Sequence, residues 1–324
     1  MASLPYRHRQ YGRSPAGAPD MDRGTATLSG RSRGCYADYQ EPRLAPQEQR
    51  RTAMPCDIRH LLNVTEHGRG STPLVMVHGF GCDQTVWSRI VPVFEADYRI
   101  ILLDLAGFGA SDRSAFDPGR HARPEGHAED LVALCDALGL EDAVLLGHSI
   151  GGTIGLMAAI ERPRTFRRLL LVCSSARYLD DPPAYCGGYG PEQLDALLAL
   201  MEQNYLDWAS SLSTVALGTA ATPGWHHDLQ QRLLAVRPEV LRPLARAVFL
   251  GDIRHLLPRV PVPSVVVQTT HDAIVPLSAA DYLQRHLPDS ELELLDCAGH
   301  YPQLTAPERL TRALKAHLPS PTAR

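Results

Sequence analysis

The chain has 324 residues, 44% of them apolar, and a formal net charge of −4. That suffices for one large core or two small ones, and so mild an acidity implies no nucleic-acid partner. No apolar run reaches the roughly 20 residues that span a bilayer, so no membrane partner is expected.

Residues 1–54 contain no Val, Ile, Phe or Trp, and carry nine arginines against five acids. Such a segment cannot bury enough apolar surface to offset its ordering entropy, so a disordered extension is expected over 1–54. An alternative is that the natural start is Met54. The seven cysteines (Cys35, Cys56, Cys82, Cys135, Cys173, Cys186 and Cys297) are odd in number and form no C-x-x-C pair. They read as reduced thiols of a cytoplasmic protein, and neither metal nor cofactor is expected.

From residue 55 to 319 the pattern is strand alternating with helix. Ile58–Thr65 reads as a first strand or hairpin. Pro73–Val77 is a buried strand running into His78-Gly-Phe-Gly-Cys-Asp83. Trp87, Ile90, Val91 and Phe94 share one helical face. Arg99–Leu105 is the next strand, and a helix covers about Glu125–Leu138. Strands separated by helices predict an α/β fold with a doubly wound, mostly parallel sheet.

Next comes Ala143-Val-Leu-Leu-Gly-His-Ser149-Ile-Gly-Gly, followed by an apolar helix. It fits the G-x-S-x-G nucleophile elbow, with a strand before it and a helix after it. The turn is so tight that a Cβ at Gly147 or Gly151 would strike its neighbours. It projects the Ser149 hydroxyl above the sheet, at a helix N-terminus that favours negative charge.

After strand Arg168–Cys173 the alternation stops, and the next clear strand is Ser264–Gln268. A crossover needs only about a dozen residues, so a helical insertion is expected at about 177–250, after the sixth strand. Leu194, Leu198, Met201, Tyr205, Trp208, Leu212 and Val215 repeat at helical spacing. Most of that stripe is packing, but an insertion over the C-terminal edge of a parallel sheet lies where ligands bind, so it reads as a cap. Glu291–Leu295 is the last strand, Pro307–Leu318 the closing helix, and 320–324 a tail.

A serine hydroxyl needs a base. The elbow predicts an acid and then a histidine, each just beyond a later strand. Asp272 and His300 occupy those positions. His300 would be general base and then general acid, with Asp272 fixing its tautomer. Asp296, Asp252 and His271 are rivals: Asp296 is too near His300 in sequence, Asp252 precedes its strand, and His271 reads as a solvated loop residue. The expected oxyanion donors are the backbone N–H groups of Ile150 and Phe80.

Together these residues resemble the α/β-hydrolase superfamily. Gly79-Phe-Gly-Cys-Asp-Gln84, Tyr178-Leu-Asp-Asp-Pro-Pro183 with Gly187-Gly-Tyr189, Asn204-Tyr205 with Trp208, and Gly299-His300 resemble its RsbQ-type branch, related to the plant strigolactone and karrikin receptor hydrolases. The resemblance runs from about Asp57 to Leu318. It implies a cap of four helices over an apolar pocket lined by Phe80, Trp208, Leu212 and Phe249. Gln303 stands where the plant relatives carry a second histidine.

The first function expected is a serine hydrolase that cleaves a small apolar ester or lactone through an acyl-enzyme. The alternative is a signalling module that binds a small ligand, hydrolyses it slowly and docks a protein partner on its cap. A dehalogenase or epoxide hydrolase would need a carboxylate where Ser149 stands. A cofactor-free haloperoxidase-like activity would use the same three residues.

Overall fold

The structure is a computed structural model that describes residues 57–218 and 221–318. The extension expected over 1–54 and the tail at 320–324 lie outside the described residues.

Seven strands form one sheet in the order β1-β3-β2-β4-β5-β6-β7. They are β1 (Thr65–His67), β2 (Thr72–Val77), β3 (Tyr98–Leu103), β4 (Ala143–His148), β5 (Phe166–Val172), β6 (Ser264–His271) and β7 (Ser290–Ala298). Only the β1–β3 pairing is antiparallel. All six residues of β4 are buried, as are Leu74–Val77 of β2 and Leu169–Val172 of β5. Their uninterrupted apolar runs are what a parallel strand covered on both faces requires.

Before the insertion come α1 (Ile58–Leu61), α2 (Val91–Phe94), α3 (Pro118–His121), α4 (Pro124–Ala137) and α5 (Ile150–Glu161). The insertion carries α6 (Pro191–Gln203), α7 (Tyr205–Leu217), α8 (Pro223–Ala235) and α9 (Pro238–Leu250). The chain closes with α10 (Leu277–His286), α11 (Pro302–Thr305) and α12 (Pro307–His317). α4, α6, α8, α9 and α12 all open on a proline, whose fixed φ and missing N–H suit the first helical position.

Three details differ from expectation. Ile58–Thr65 is not a strand or hairpin. Asp57 accepts the Arg59 N–H at 3.0 Å and caps α1, which buries Ile58 and Leu61 three residues apart. Only β1 from that stretch joins the sheet, so the insertion follows the fifth strand and not the sixth. The helical face of Trp87, Ile90, Val91 and Phe94 is built from two short turns, Gln84–Trp87 and α2, and all four side chains are buried.

β2 lies between β3 and β4, so the winding reverses there. The crevice outside the C-terminal ends of β2 and β4 is the topological switch point where open α/β sheets take their ligands. The loops His78–Asp83 and Ser149 stand at that point.

Candidate active site

Ser149 joins β4 to α5 with φ 53° and ψ −121°. A non-glycine residue at positive φ is strained unless its surroundings over-determine it. Here they do. The Ser149 N–H donates to the Val172 carbonyl at 2.8 Å, and Ser174 Oγ donates to the Ser149 carbonyl at 3.0 Å. A Cβ on Gly151 would lie 2.4 Å from the Val77 oxygen, and one on Gly147 2.5 Å from the Gly152 nitrogen. Both glycines are therefore sterically required.

His300 follows β7. Its Nε2 lies 3.0 Å from Ser149 Oγ, and its Nδ1 2.8 Å from Asp272 Oδ2. Nδ1 donates to the carboxylate, which leaves Nε2 to accept from the serine. Asp272 follows β6, and its side chain is wholly shielded from solvent. Its Oδ1 accepts the N–H groups of Ile274 and Val275 at 2.8 and 3.0 Å. Gln268 Nε2 donates to Oδ2 at 3.2 Å and to the Val275 carbonyl at 2.9 Å. Burial pushes the Asp272 carboxyl up, but the facing His300 and these hydrogen bonds outweigh it and hold it below its ordinary value.

The His300 loop is gripped from two sides. Its N–H donates to the carbonyl of Ala216, in the last turn of α7, at 2.6 Å. Its carbonyl accepts from His148 Nε2 at 2.8 Å. Burial depresses His148 to about 3, so its ring is neutral and acts as a fixed donor. His78 fixes the other loop: the Leu105 N–H donates to its Nε2 at 3.0 Å, so its Nδ1–H donates to the Gly79 carbonyl at 2.9 Å.

The N–H groups of Phe80 and Ile150 make no hydrogen bond among the described residues, which leaves both available at the mouth of the crevice. Around that mouth stand aromatic rings. Phe80 meets Trp208 edge-on at 6.3 Å and Phe249 at 6.0 Å, and Tyr205 stacks on Trp208 at 5.2 Å. Leu212, one turn beyond Trp208 on α7, is also buried. The buried Trp208 Nε1 has no hydrogen-bond partner among the described residues.

The rivals are elsewhere. The Asp296 side chain is 92% exposed and faces Arg309, His271 is exposed, and Asp252 is held by Arg177 and Arg254. Three contributors went unanticipated. Tyr178 brings its hydroxyl to 3.5 Å from Ser149 Oγ and packs on Phe249 at 5.2 Å. Burial pushes its ionisation up, so it stays a neutral hydroxyl. Gln268 holds Asp272; it is the first polar residue after the apolar run Val265–Val267 of β6. Cys173 lies within 4.8 Å of the Asp272 and His300 donor atoms. Burial and Asp272 push its thiol well above its ordinary value, so it is a poor metal ligand, and His300 Nδ1 is already engaged.

The arrangement is compatible with a Ser–His–Asp triad. Such a relay can take a proton from the serine as it attacks and return it to a leaving group, beside N–H donors for an oxyanion.

Residues 74–313 match the family described as "Alpha/beta hydrolase family". The chain is 38% identical over 260 residues to a protein of Oryza sativa subsp. japonica named a probable esterase, covering 80% of this chain and 95% of that protein. It is 34% identical over 257 residues to the "Karrikin insensitive 2 receptor CA" of Petunia hybrida, with 79% and 95% covered. Among solved structures it is similar to a hydrolase from Oleispira antarctica, with a TM-score of 0.79, 29% identity, and 81% of this chain and 96% of that one covered.

Proposed function

The chain belongs to the alpha/beta hydrolase family, and from that premise we propose that it is a serine hydrolase that cleaves a small apolar ester or lactone through an acyl-enzyme on Ser149. The observation that carries this reading is the unbroken chain Ser149 Oγ–His300 Nε2 and His300 Nδ1–Asp272 Oδ2, at 3.0 and 2.8 Å. Ser149 Oγ attacks the carbonyl carbon while His300 takes its proton. The developing oxyanion is met by the N–H groups of Phe80 and Ile150. His300 returns the proton to the departing alkoxide. A water, activated by the same imidazole, then releases the acid and regenerates Ser149. The preference for a small apolar substrate is supported by the walls: Phe80, Trp208, Leu212 and Phe249 are apolar and buried. The free Trp208 Nε1–H suits a ligand carbonyl.

The test is hydrolysis of short-chain aryl esters by the wild type and Ser149→Ala. Loss of about 10⁴-fold or more is expected, since members of such a relay act as a unit. Activity within about tenfold of wild type would remove Ser149 from the nucleophile role.

A second reading is supported by the relative that is named a receptor. In it the same site binds a small ligand, turns it over slowly, and a protein partner docks on the inserted helices. The two readings separate by rate. Multiple turnovers per second on a small ester favour the enzyme; a single slow turnover with ligand-dependent capture of a partner favours the signalling module.

A further inference from the structure

A cavity of about 170 Å³ lies between the inserted helices and the core. None of Ser149, His300, Asp272 or Phe80 lines it. Its core wall includes Asp83, Ser111 and Arg113, and its other wall Arg232 from α8 and Arg237 at the entry to α9. Three arginines thus face one acid, in a chain whose acids outnumber its Lys and Arg by 36 to 32.

That one acid is already neutralised. Arg232 Nη1 donates to both Asp83 oxygens, at 3.0 and 2.9 Å, and to Thr85 Oγ1 at 2.6 Å, while Nε donates to Asp228 at 2.9 Å. None of these bonds uses Arg232 Nη2. Arg113 has no side-chain hydrogen bond or ion pair among the described residues. Arg237 has only Glu239, at 3.3 Å, in a pair whose side chains are 40% and 62% exposed, which water screens heavily. Its guanidinium also lies over the Phe116 ring at 5.8 Å. Ser111 Oγ is occupied by the Phe108 carbonyl and the Gly107 N–H. Arg232 and Arg237 thus keep unused donors beside their acids, and Arg113 is a guanidinium without a side-chain partner among the described residues.

We infer that this cavity binds a compact oxyanion, a phosphate or a small dicarboxylate, held between Arg113 of the core and Arg232 and Arg237 of the inserted helices. The planar fork of an arginine matches the geometry of either group. The volume sets the size. Sites for drug-sized ligands run to roughly 300–1,000 Å³, so the occupant is a small ion and not a nucleotide. An anion held there would tie α8 and α9 to the loops that follow β2 and β3. It would also stabilise the folded chain in proportion to the logarithm of its occupancy. The inference does not depend on the reaction at Ser149.

Thermal unfolding and isothermal titration calorimetry on the full chain test it, with sodium phosphate and sodium malonate compared with sodium chloride at equal ionic strength. A saturable rise in melting temperature is expected with phosphate, malonate or both, beyond that with chloride. Response to one alone identifies the chemistry. Ser149→Ala should bind as the wild type does. Arg113→Gln and Arg237→Gln, both at solvent-exposed side chains and hence compatible with folding, should each weaken binding at least about tenfold. The inference fails if neither anion exceeds chloride. It fails equally if both arginine variants bind like the wild type.

Discussion

At the scale of single residues the site turns on how Asp272 is held. Two backbone N–H groups, one amide and one imidazole donate to it, so no lone pair is left to wander. An amide in its place could not favour the same histidine tautomer. Asp272→Asn should therefore lower ester hydrolysis by roughly 10⁴-fold, whereas Asp296→Asn, at an exposed side chain, should leave it near wild type. The reverse order would mean that the acid is misassigned. The same carboxyl gives a pH signature. Its folded value lies below the ordinary one. Its stabilisation is thus complete above the unfolded value of roughly 4 and is lost as pH falls through the lower, folded value. The melting-temperature gap between wild type and Asp272→Asn should be widest above about pH 5 and should narrow below about pH 4. A gap that stays constant across that range would contradict the linkage.

Ser149, Asp272 and His300 were legible in the sequence because they stand in the loops that follow β4, β6 and β7, and parallel strands bring such loops to one edge. Tyr178 was not. It lies in an irregular stretch between β5 and α6, and nothing local to it announces that its hydroxyl reaches the serine. In the sequence Cys173 reads only as a reduced thiol; its neighbours Asp272 and His300 lie about a hundred residues further along the chain.

At the scale of elements, the elbow is the most constrained unit. Gly151→Ala puts a Cβ 2.4 Å from the Val77 oxygen and 2.6 Å from the His78 oxygen, both backbone atoms that cannot swing aside. Overpacking of this kind costs about 1–3 kcal/mol, and a domain of this size shifts by roughly 2–4 °C per kcal/mol. A fall of at least about 2 °C in melting temperature is expected by calorimetry, with ester hydrolysis impaired beyond what that loss explains. An unchanged melting temperature would mean that the turn relaxes freely. The cap helices make a different prediction. Trp208→Ala removes an apolar wall and leaves the Ser149–His300–Asp272 contacts untouched. Kinetics on an acyl-chain series should show weaker binding of short esters and a flatter preference for length. An unchanged length profile would assign Trp208 to packing alone.

The strong strands and long helices were readable from their periodicity. The errors fell where the pattern was short. Ile58–Leu61 has only four residues, and a capping aspartate decides it for helix. α10, with Leu277 exposed and Ala279, Ala280 and Leu283 buried, carries too few large apolar residues to stand out as a stripe.

At the scale of the whole molecule, the sheet and the insertion are tied together at the site itself. The N–H of His300 donates to the carbonyl of Ala216 in α7, and Asp83, three residues after Phe80, is paired with Arg232 of α8. The inserted helices are therefore bonded directly to the His300 loop and to the His78–Asp83 loop. Such bonds are compatible with either proposed reading, hydrolysis or a ligand-dependent contact with a partner. Among the described residues, no helix is long and apolar enough to cross a membrane. Patterning along the chain was enough for the sheet class and the existence of the insertion, because a gap far longer than a crossover is visible at once. It could not supply the contacts between insertion and loops, which depend on groups far apart in sequence meeting in the fold.

The central claim is that Ser149 is the nucleophile, activated by His300. Its most direct measurement is mass spectrometry of the full chain after treatment with a small aryl phosphonate, which mimics the acyl-transfer transition state and stays on the nucleophile. One adduct per chain is predicted, on the peptide that contains Ser149, absent in Ser149→Ala and strongly slowed in Asp272→Asn. Stoichiometric labelling at another residue, or equal labelling of Ser149→Ala, would contradict it.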